Sequence, residues 1–173
     1  MALLRHNGRR LEADADFLDR QLCWRAYFVR MANYVLTLVE DAADAAAYDQ
    51  IRHHVLFGGS HAYIRNGPEE VKDENLSLLL KLDGIPIGTV RLDQKTDKKA
   101  IVRLVAIVSD LQRAGHGTAL MGCLEGLATT LGIRELLVYA RPAASGFYLR
   151  LGYTPFIFDP DNKESIQLHK MIS

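Results

Sequence analysis

Gln112-Arg113-Ala114-Gly115-His116-Gly117 follows the apolar run Arg103-Leu104-Val105-Ala106-Ile107-Val108 and precedes the amphipathic stretch Thr118 to Leu131. The order reads as a strand, a glycine turn and the opening of a helix. Such a turn aims several backbone N–H groups, with the positive end of the helix dipole behind them, at a bound anion. A phosphate-bearing ligand is therefore expected here. A mononucleotide P-loop would place Lys-Ser/Thr after the last glycine, where this chain has Thr118-Ala119. A Rossmann fingerprint would sit near the first strand and carry a third glycine, whereas this loop follows the fourth strand and lacks that glycine.

Outward from the loop the chain alternates strand and helix signals. Upstream, Asn75 to Lys81 and Ile85 to Leu92 are β-rich runs separated by Asp83-Gly84, a hairpin signal. Asp93 to Lys99 is charged and turn-like, and Ala100 to Val108 is the strand that enters the glycine loop. Earlier still, Tyr34 to Val39 reads as the first strand. Asp41 to Phe57 reads as a helix with Ala47, Tyr48, Ile51 and Val55 on one side, capped by Asp41 or Asp44 and stopped by Gly58-Gly59. Ser60 to Asn75 has weak periodicity and carries Gly67-Pro68, so it is a loop or a short second helix. Downstream, Leu120, Met121, Leu124, Leu127, Ala128 and Leu131 share one helix face, and Gly132 ends that helix. Glu135 to Ala140 is a further strand and Ala143 to Leu151 a further helix. Tyr153 to Phe158 and Ser165 to Met171 alternate like a closing pair of strands.

A chain of 173 residues fits one domain with a core of its own. Lys plus Arg and Asp plus Glu both count 21 and the isoelectric point is about 7.0, which leaves no net field to draw nucleic acid or an anionic membrane. The apolar fraction of 49% is that of a folded globule. No run approaches the ~18–20 apolar residues needed to span a bilayer, so neither a nucleic-acid nor a membrane partner is expected. The start, Met1 to His6, has no apolar segment of the secretory kind. Cys23 and Cys123 have no metal-ligand spacing around them, so no metal is expected and a reducing cytoplasm is the simplest setting.

Residues 1–33 differ from the remainder. After an Arg-rich start, Leu18, Leu22, Ala26 and Val29 recur at helical spacing, which predicts an amphipathic helix that packs on the domain or on a second copy in a homodimer. The alternative is translation from Met31, because Met31-Ala-Asn-Tyr-Val-Leu-Thr-Leu38 reads as the beginning of a domain whose first element is a strand. The expected organisation is an N-terminal helical extension over 1–33 and one domain over 34–173.

The spacing Gln-x-x-Gly-x-Gly after the fourth strand, with Phe147-Tyr148-Leu-Arg-Leu-Gly152-Tyr153 downstream, resembles the GNAT (GCN5-related) N-acetyltransferase superfamily. The resemblance covers about residues 34 to 172. It implies a mixed α/β (α+β) fold: a central, mostly antiparallel mixed sheet flanked by helices, with splayed fourth and fifth strands. It implies acetyl-CoA as cosubstrate, its pyrophosphate held by backbone N–H groups of Arg113, Ala114, Gly115, His116, Gly117 and Thr118, with Gln112 part of the same cofactor-binding loop. A Cβ at Gly115 or Gly117 would obstruct that approach. His116 is expected to be an exposed residue whose backbone matters rather than its ring. By position, Val105 and Ile107 would give main-chain contacts to the pantetheine arm, and an amide near Val105 or Ala106 would face the acetyl carbonyl. Tyr148 falls where family members place the phenol that protonates the departing thiolate.

Two positions depart from the family pattern. Many members carry a glutamate on or near the strand before the loop, and Ala100-Ile-Val-Arg-Leu-Val105 has none. Many have Asn before the helix that bears the tyrosine, where this chain has Arg141-Pro142. The base is therefore unassigned, with His53, His54 and His61 as imidazole candidates near the amine-side wall and Glu69, Glu70 and Asp73 able to receive a cation. The implied reaction is direct acetyl transfer to a primary amine of a small molecule or peptide in a ternary complex. A non-catalytic acyl-CoA-binding or sensing domain is the alternative.

Overall fold

The computed structural model describes residues 33–59, 75–96 and 98–173. The expected N-terminal helix, the start at Met31, His61, Glu69, Glu70 and Asp73 all lie outside the described residues. Among the described residues seven strands form one sheet: β1 (Tyr34–Leu38), β2 (Asn75–Leu82), β3 (Ile85–Thr96), β4 (Lys99–Ile107), β5 (Glu135–Ala140), β6 (Thr154–Pro155) and β7 (Ile166–Met171). Their spatial order is β1-β2-β3-β4-β5-β7-β6, antiparallel throughout except for the parallel pair β4 and β5. Among the described residues three α-helices flank the sheet: α1 (Ala42–Phe57), α2 (His116–Thr130) and α3 (Pro142–Arg150). This is the mixed α/β architecture expected from the sequence.

Each helix has a local cause. The Asp41 carboxylate accepts from the Asp44 N–H at 2.8 Å and starts α1, while Gly58 in the left-handed region closes it. Pro142 opens α3 at a position whose N–H would have no helical partner. Asp83 and Gly84 both have positive φ, the turn that matches the twist of a two-residue hairpin between β2 and β3.

Alternation along the strands divides the core between two faces. Leu78 and Leu80 join the large cluster with Leu120, Met121 and Leu124 of α2 and Tyr148 of α3. Leu79 points the other way, into a smaller cluster with Tyr48 and Ile51 of α1 and Ala106 of β4. The sheet is thus sandwiched, with α2 and α3 on one face and α1 on the other.

Two boundaries differ from expectation. β3 continues through Asp93 to Thr96 instead of turning after Leu92. Asp93 is 1% exposed yet stays in the strand because Arg91 binds both its carboxylate oxygens, at 2.6 and 2.9 Å, and Arg103 approaches at 3.0 Å. Charge here is neutralised within the sheet, so it does not mark a turn. The penultimate strand shrinks to Thr154–Pro155. After Pro155 the Phe156 N–H still reaches the Gln167 carbonyl at 3.0 Å, but Phe158 and Asp159 donate instead to the Gln167 side chain, at 2.9 and 2.8 Å. The side chain replaces a ladder partner, and the backbone peels from the edge.

Candidate active site

The site begins where two parallel strands part. β4 pairs with β5 only over Lys99–Val102 against Glu135–Val138. Beyond that rung β4 follows β3 to Ile107 and β5 follows β7 to Ala140, so a fork opens between them. On the β3 side Thr89 faces Ala106 and Arg91 faces Arg103, which leaves Leu104 and Val105 together opposite Val90. This is a β-bulge. Leu104 has φ 55, a left-handed conformation that costs a non-glycine residue roughly 1–2 kcal/mol. The buried Thr89 hydroxyl holds the bulge by donating to the Leu104 carbonyl at 3.2 Å. Val105 and Ala106 thus stand at the mouth of the fork, with Val105 outside both ladders.

At the end of β4 the Val108 N–H donates to the Ile87 carbonyl at 2.9 Å, and a short 3-10 turn spans Ser109–Leu111. The Gln112 side-chain amide then donates back to the Ile107 carbonyl at 3.0 Å. Gln112 therefore fastens the loop to the strand through its side chain. Arg113 (φ 63) and Gly115 (φ 89) reverse the backbone. The first helical bond of α2 runs from the Ala119 N–H to the Gly115 carbonyl at 3.1 Å, so the N–H groups of His116, Gly117 and Thr118 precede the ladder. Gln112, Arg113, Ala114, Gly115 and Thr118 are exposed. An exposed turn ahead of a helix N-terminus, with the helix dipole behind it, is geometry that suits an anion.

His116 requires a correction. Its ring is half-buried, and its Nδ1 lies 2.6 Å from the Tyr34 hydroxyl, with the two rings edge to face at 5.8 Å. The imidazole joins β1 to the N-terminus of α2, a long-range contact invisible to local pattern.

Tyr148 lies on α3, which Gly152 (φ 86) ends, allowing the Tyr153 N–H to reach the Tyr148 carbonyl at 3.1 Å. The Tyr148 ring is 7% exposed and packs edge to face against Phe147 and Tyr153, with centroids at 5.0 and 5.7 Å. Burial alone pushes its hydroxyl up to about 12. The phenol stays protonated at neutral pH, as a proton donor must. A Cβ on Gly117 would stand 3.3 Å from the Phe147 ring, so the cradle and the helix carrying Tyr148 are in direct contact.

The base candidates are less well placed. His54 is exposed and bonds the Gln50 carbonyl of its own helix at 2.8 Å, and the half-buried His53 stands edge to face with it at 5.4 Å. No carboxylate stands on the β4 strand itself. Asp93 of β3 is nearby but is engaged by two guanidiniums. Among the described residues no group of three or more His, Cys, Asp or Glu is arranged to hold a metal. Three features escaped sequence reasoning: the Leu104 bulge, the Thr89 hydroxyl that holds it, and Gly88, where a Cβ would come 2.8 Å from the Ala106 carbonyl oxygen. A glycine in an otherwise β-branched run was the one available signal.

A family profile described as an acetyltransferase (GNAT) domain matches residues 60–172. The chain belongs to the GNAT acetyltransferase family. Solved structures share the fold. A presumptive N-acetyltransferase from Lactobacillus plantarum superposes with a TM-score of 0.68 at 23% identity, covering 81% of this chain and 99% of that one. The ribosomal-protein-S18-alanine N-acetyltransferase of Escherichia coli gives 0.62 at 20%, covering 81% and 94%. An aminoglycoside 6'-N-acetyltransferase complexed with coenzyme A gives 0.65 at 13%, covering 80% and 97%. At these identities the likeness is one of fold. No curated protein matches the chain by sequence. Among the described residues no helix is long and apolar enough to cross a membrane.

Proposed function

We propose that this GNAT chain transfers the acetyl group of acetyl-CoA to a primary amine of a small molecule or peptide, by direct attack in a ternary complex. One observation carries the reading: β4 leaves β5 after Val102, bulges at Leu104, and leads through a short 3-10 turn into a solvent-exposed loop ahead of α2. The fork supplies main-chain groups for a pantetheine arm at Val105, Ala106 and Ile107. The loop from Arg113 to Thr118 supplies N–H donors for a pyrophosphate, while the Gln112 N–H is held by the Ser109 carbonyl at 3.2 Å and its side chain by Ile107.

In the proposed mechanism the neutral amine nitrogen attacks the thioester carbonyl carbon. Negative charge develops on the carbonyl oxygen, where an amide at Val105 or Ala106 hydrogen-bonds to it. As the tetrahedral adduct collapses the C–S bond breaks, the Tyr148 hydroxyl gives its proton to the thiolate, and the nitrogen loses its surplus proton to solvent. The phenolate then recovers a proton from water. The acyl chemistry needs no metal. Residues 34–173 form the catalytic unit, 1–33 an extension able to support a dimer, and the buried free Cys123 suits a reducing cytoplasm.

The test is an amine panel with acetyl-CoA, followed by release of free thiol. Turnover that falls at least about a hundredfold in Tyr148→Phe, with CoA affinity held within about twofold, supports the assignment. Undiminished turnover in that variant refutes the role of Tyr148. A second reading, an acyl-CoA sensor, is favoured by one observation: β4 lacks a carboxylate, and Asp93 is occupied. Firm CoA binding without thiol release across the panel would decide for it.

A further inference from the structure

The fork has two sides, and the one away from the CoA loop carries an unusual charge arrangement. Val102 and Val138 turn into the cluster shared with α2 and α3, so their successors Arg103 and Tyr139 turn to the α1 side. These are the first residues on each strand past the last β4–β5 rung. The Arg103 guanidinium lies 4.8 Å from the centroid of the Tyr139 ring and covers it. Its Nε stands 3.0 Å from an Asp93 carboxylate oxygen, an ion pair without hydrogen-bond alignment. Asp93 already receives two hydrogen bonds from Arg91. One buried carboxylate thus serves two guanidiniums, and the outer one, Arg103, has a side chain 36% exposed.

Among the described residues, Asp159 and Arg141 also stand beside the fork. The Asp159 carboxylate accepts from the Tyr139 hydroxyl at 2.7 Å on one oxygen and from the Asp161 N–H at 3.3 Å on the other. Both of its oxygens are engaged, one by β5 and one within its own turn. Arg141, just past the end of β5, adds a second exposed cation on the α1 side, where it donates to the Leu56 carbonyl at 3.4 Å. A planar, stacked guanidinium at the fork, with its counter-ion shared, suits recognition of a carboxylate.

We infer that the acceptor is an amine that also carries a carboxylate, such as a free amino acid or a peptide with an acidic residue beside its amino terminus, and that Arg103 reads that carboxylate. The inference rests on the acetyl-transfer reading above. Arg103 faces away from α2, so it selects the acceptor and leaves the nucleotide end of CoA to the loop. Arg91 and Asp93 are positioning residues that fix the Arg103 side chain, and Tyr139 is the platform beneath it.

The test uses pairs of amines that differ only in a carboxylate against its carboxamide, assayed by thiol release on the wild type, Arg103→Gln and Arg103→Lys, with CoA affinity measured alongside. The wild type should prefer the carboxylate member by about tenfold or more in kcat/KM. Arg103→Gln should raise KM for the carboxylate member until the preference approaches unity, with CoA affinity retained, and Arg103→Lys should restore part of it. A wild type that treats both members alike, or an Arg103→Gln variant that lowers both equally, overturns the inference and leaves the transferase reading standing. Absence of thiol release from every amine despite CoA binding overturns both. The wild-type comparison needs no variant, so poor folding of a substituted chain leaves the question decidable.

Discussion

Gly88→Ala tests whether the geometry of the fork is held from β3. Gly88 faces Ile107, and its neighbour Thr89 faces Ala106, at the point where β4 has passed its bulge. A Cβ built on Gly88 would lie 2.6 Å from Ile107 Cδ1 and 2.8 Å from the Ala106 carbonyl oxygen. The first contact is with the far end of a flexible side chain and is relieved by rotation. The second is with backbone, and an ordinary C···O approach is about 3.3–3.6 Å, so the end of β4 must retreat by roughly half an ångström or more. That segment is pinned by the Val108 N–H bond to Ile87 and by the Thr89 bond to Leu104. Overpacking against pinned backbone costs about 1–3 kcal/mol, which for a domain of this size lowers the melting temperature by roughly 2–12 °C. Because Ala106 stands at the mouth of the fork, CoA affinity should fall with it, by about tenfold or more. Urea denaturation and calorimetric titration with CoA measure the two effects. Gly146→Ala in α3 is the control: its Cβ meets only Arg150 Nη1, at 3.5 Å, and the helix should gain up to about 1 kcal/mol. An unchanged midpoint and unchanged CoA affinity in Gly88→Ala would refute the reasoning.

Two further outcomes follow from the same geometry. In Gly117→Ala the new methyl presses on the Phe147 ring at 3.3 Å and crowds the cradle, so CoA affinity should drop by about tenfold or more while the unfolding free energy from urea denaturation changes by less than about 1 kcal/mol; wild-type affinity for CoA would show that no phosphate approaches there. Burial raises the Tyr148 hydroxyl from 10.0 to about 12, so the unfolded chain ionises first and the stability this phenol contributes is complete below pH 10 and lost as pH rises toward 12. Between pH 9 and pH 11 the wild type should lose roughly 1 kcal/mol more than Tyr148→Phe in urea denaturation, and parallel losses would show that the phenol is solvated.

The elements of the fold were largely legible because their causes are local. Asp41 and Gly58 bracket α1, Asp83-Gly84 makes the hairpin, and Gly152 ends the segment that carries Tyr148. Strand limits were less legible where a side chain overrode composition. Asp93 looked like the start of a turn because it opens the charged run to Lys99, and aspartate disfavours a strand interior. It lies inside β3 because Arg91 and Arg103, one on its own strand and one on the next, complete its charge. His116 looked exposed because nothing within its own loop touches its ring. Tyr34, 82 positions away in sequence, does.

By itself the sequence determined the order of elements, the glycine loop after the fourth strand and the tyrosine helix beyond it, since caps, turns and apolar periodicity act between residues a few positions apart. Only the tertiary structure decided where β4 leaves β5, that Leu104 adopts φ 55, and that Arg103 ends over Tyr139 with half a share in Asp93. Those outcomes depend on register between strands and on charges brought together from separate strands. No run of neighbouring residues encodes them, because each is the choice of one packing among several that the same local preferences allow.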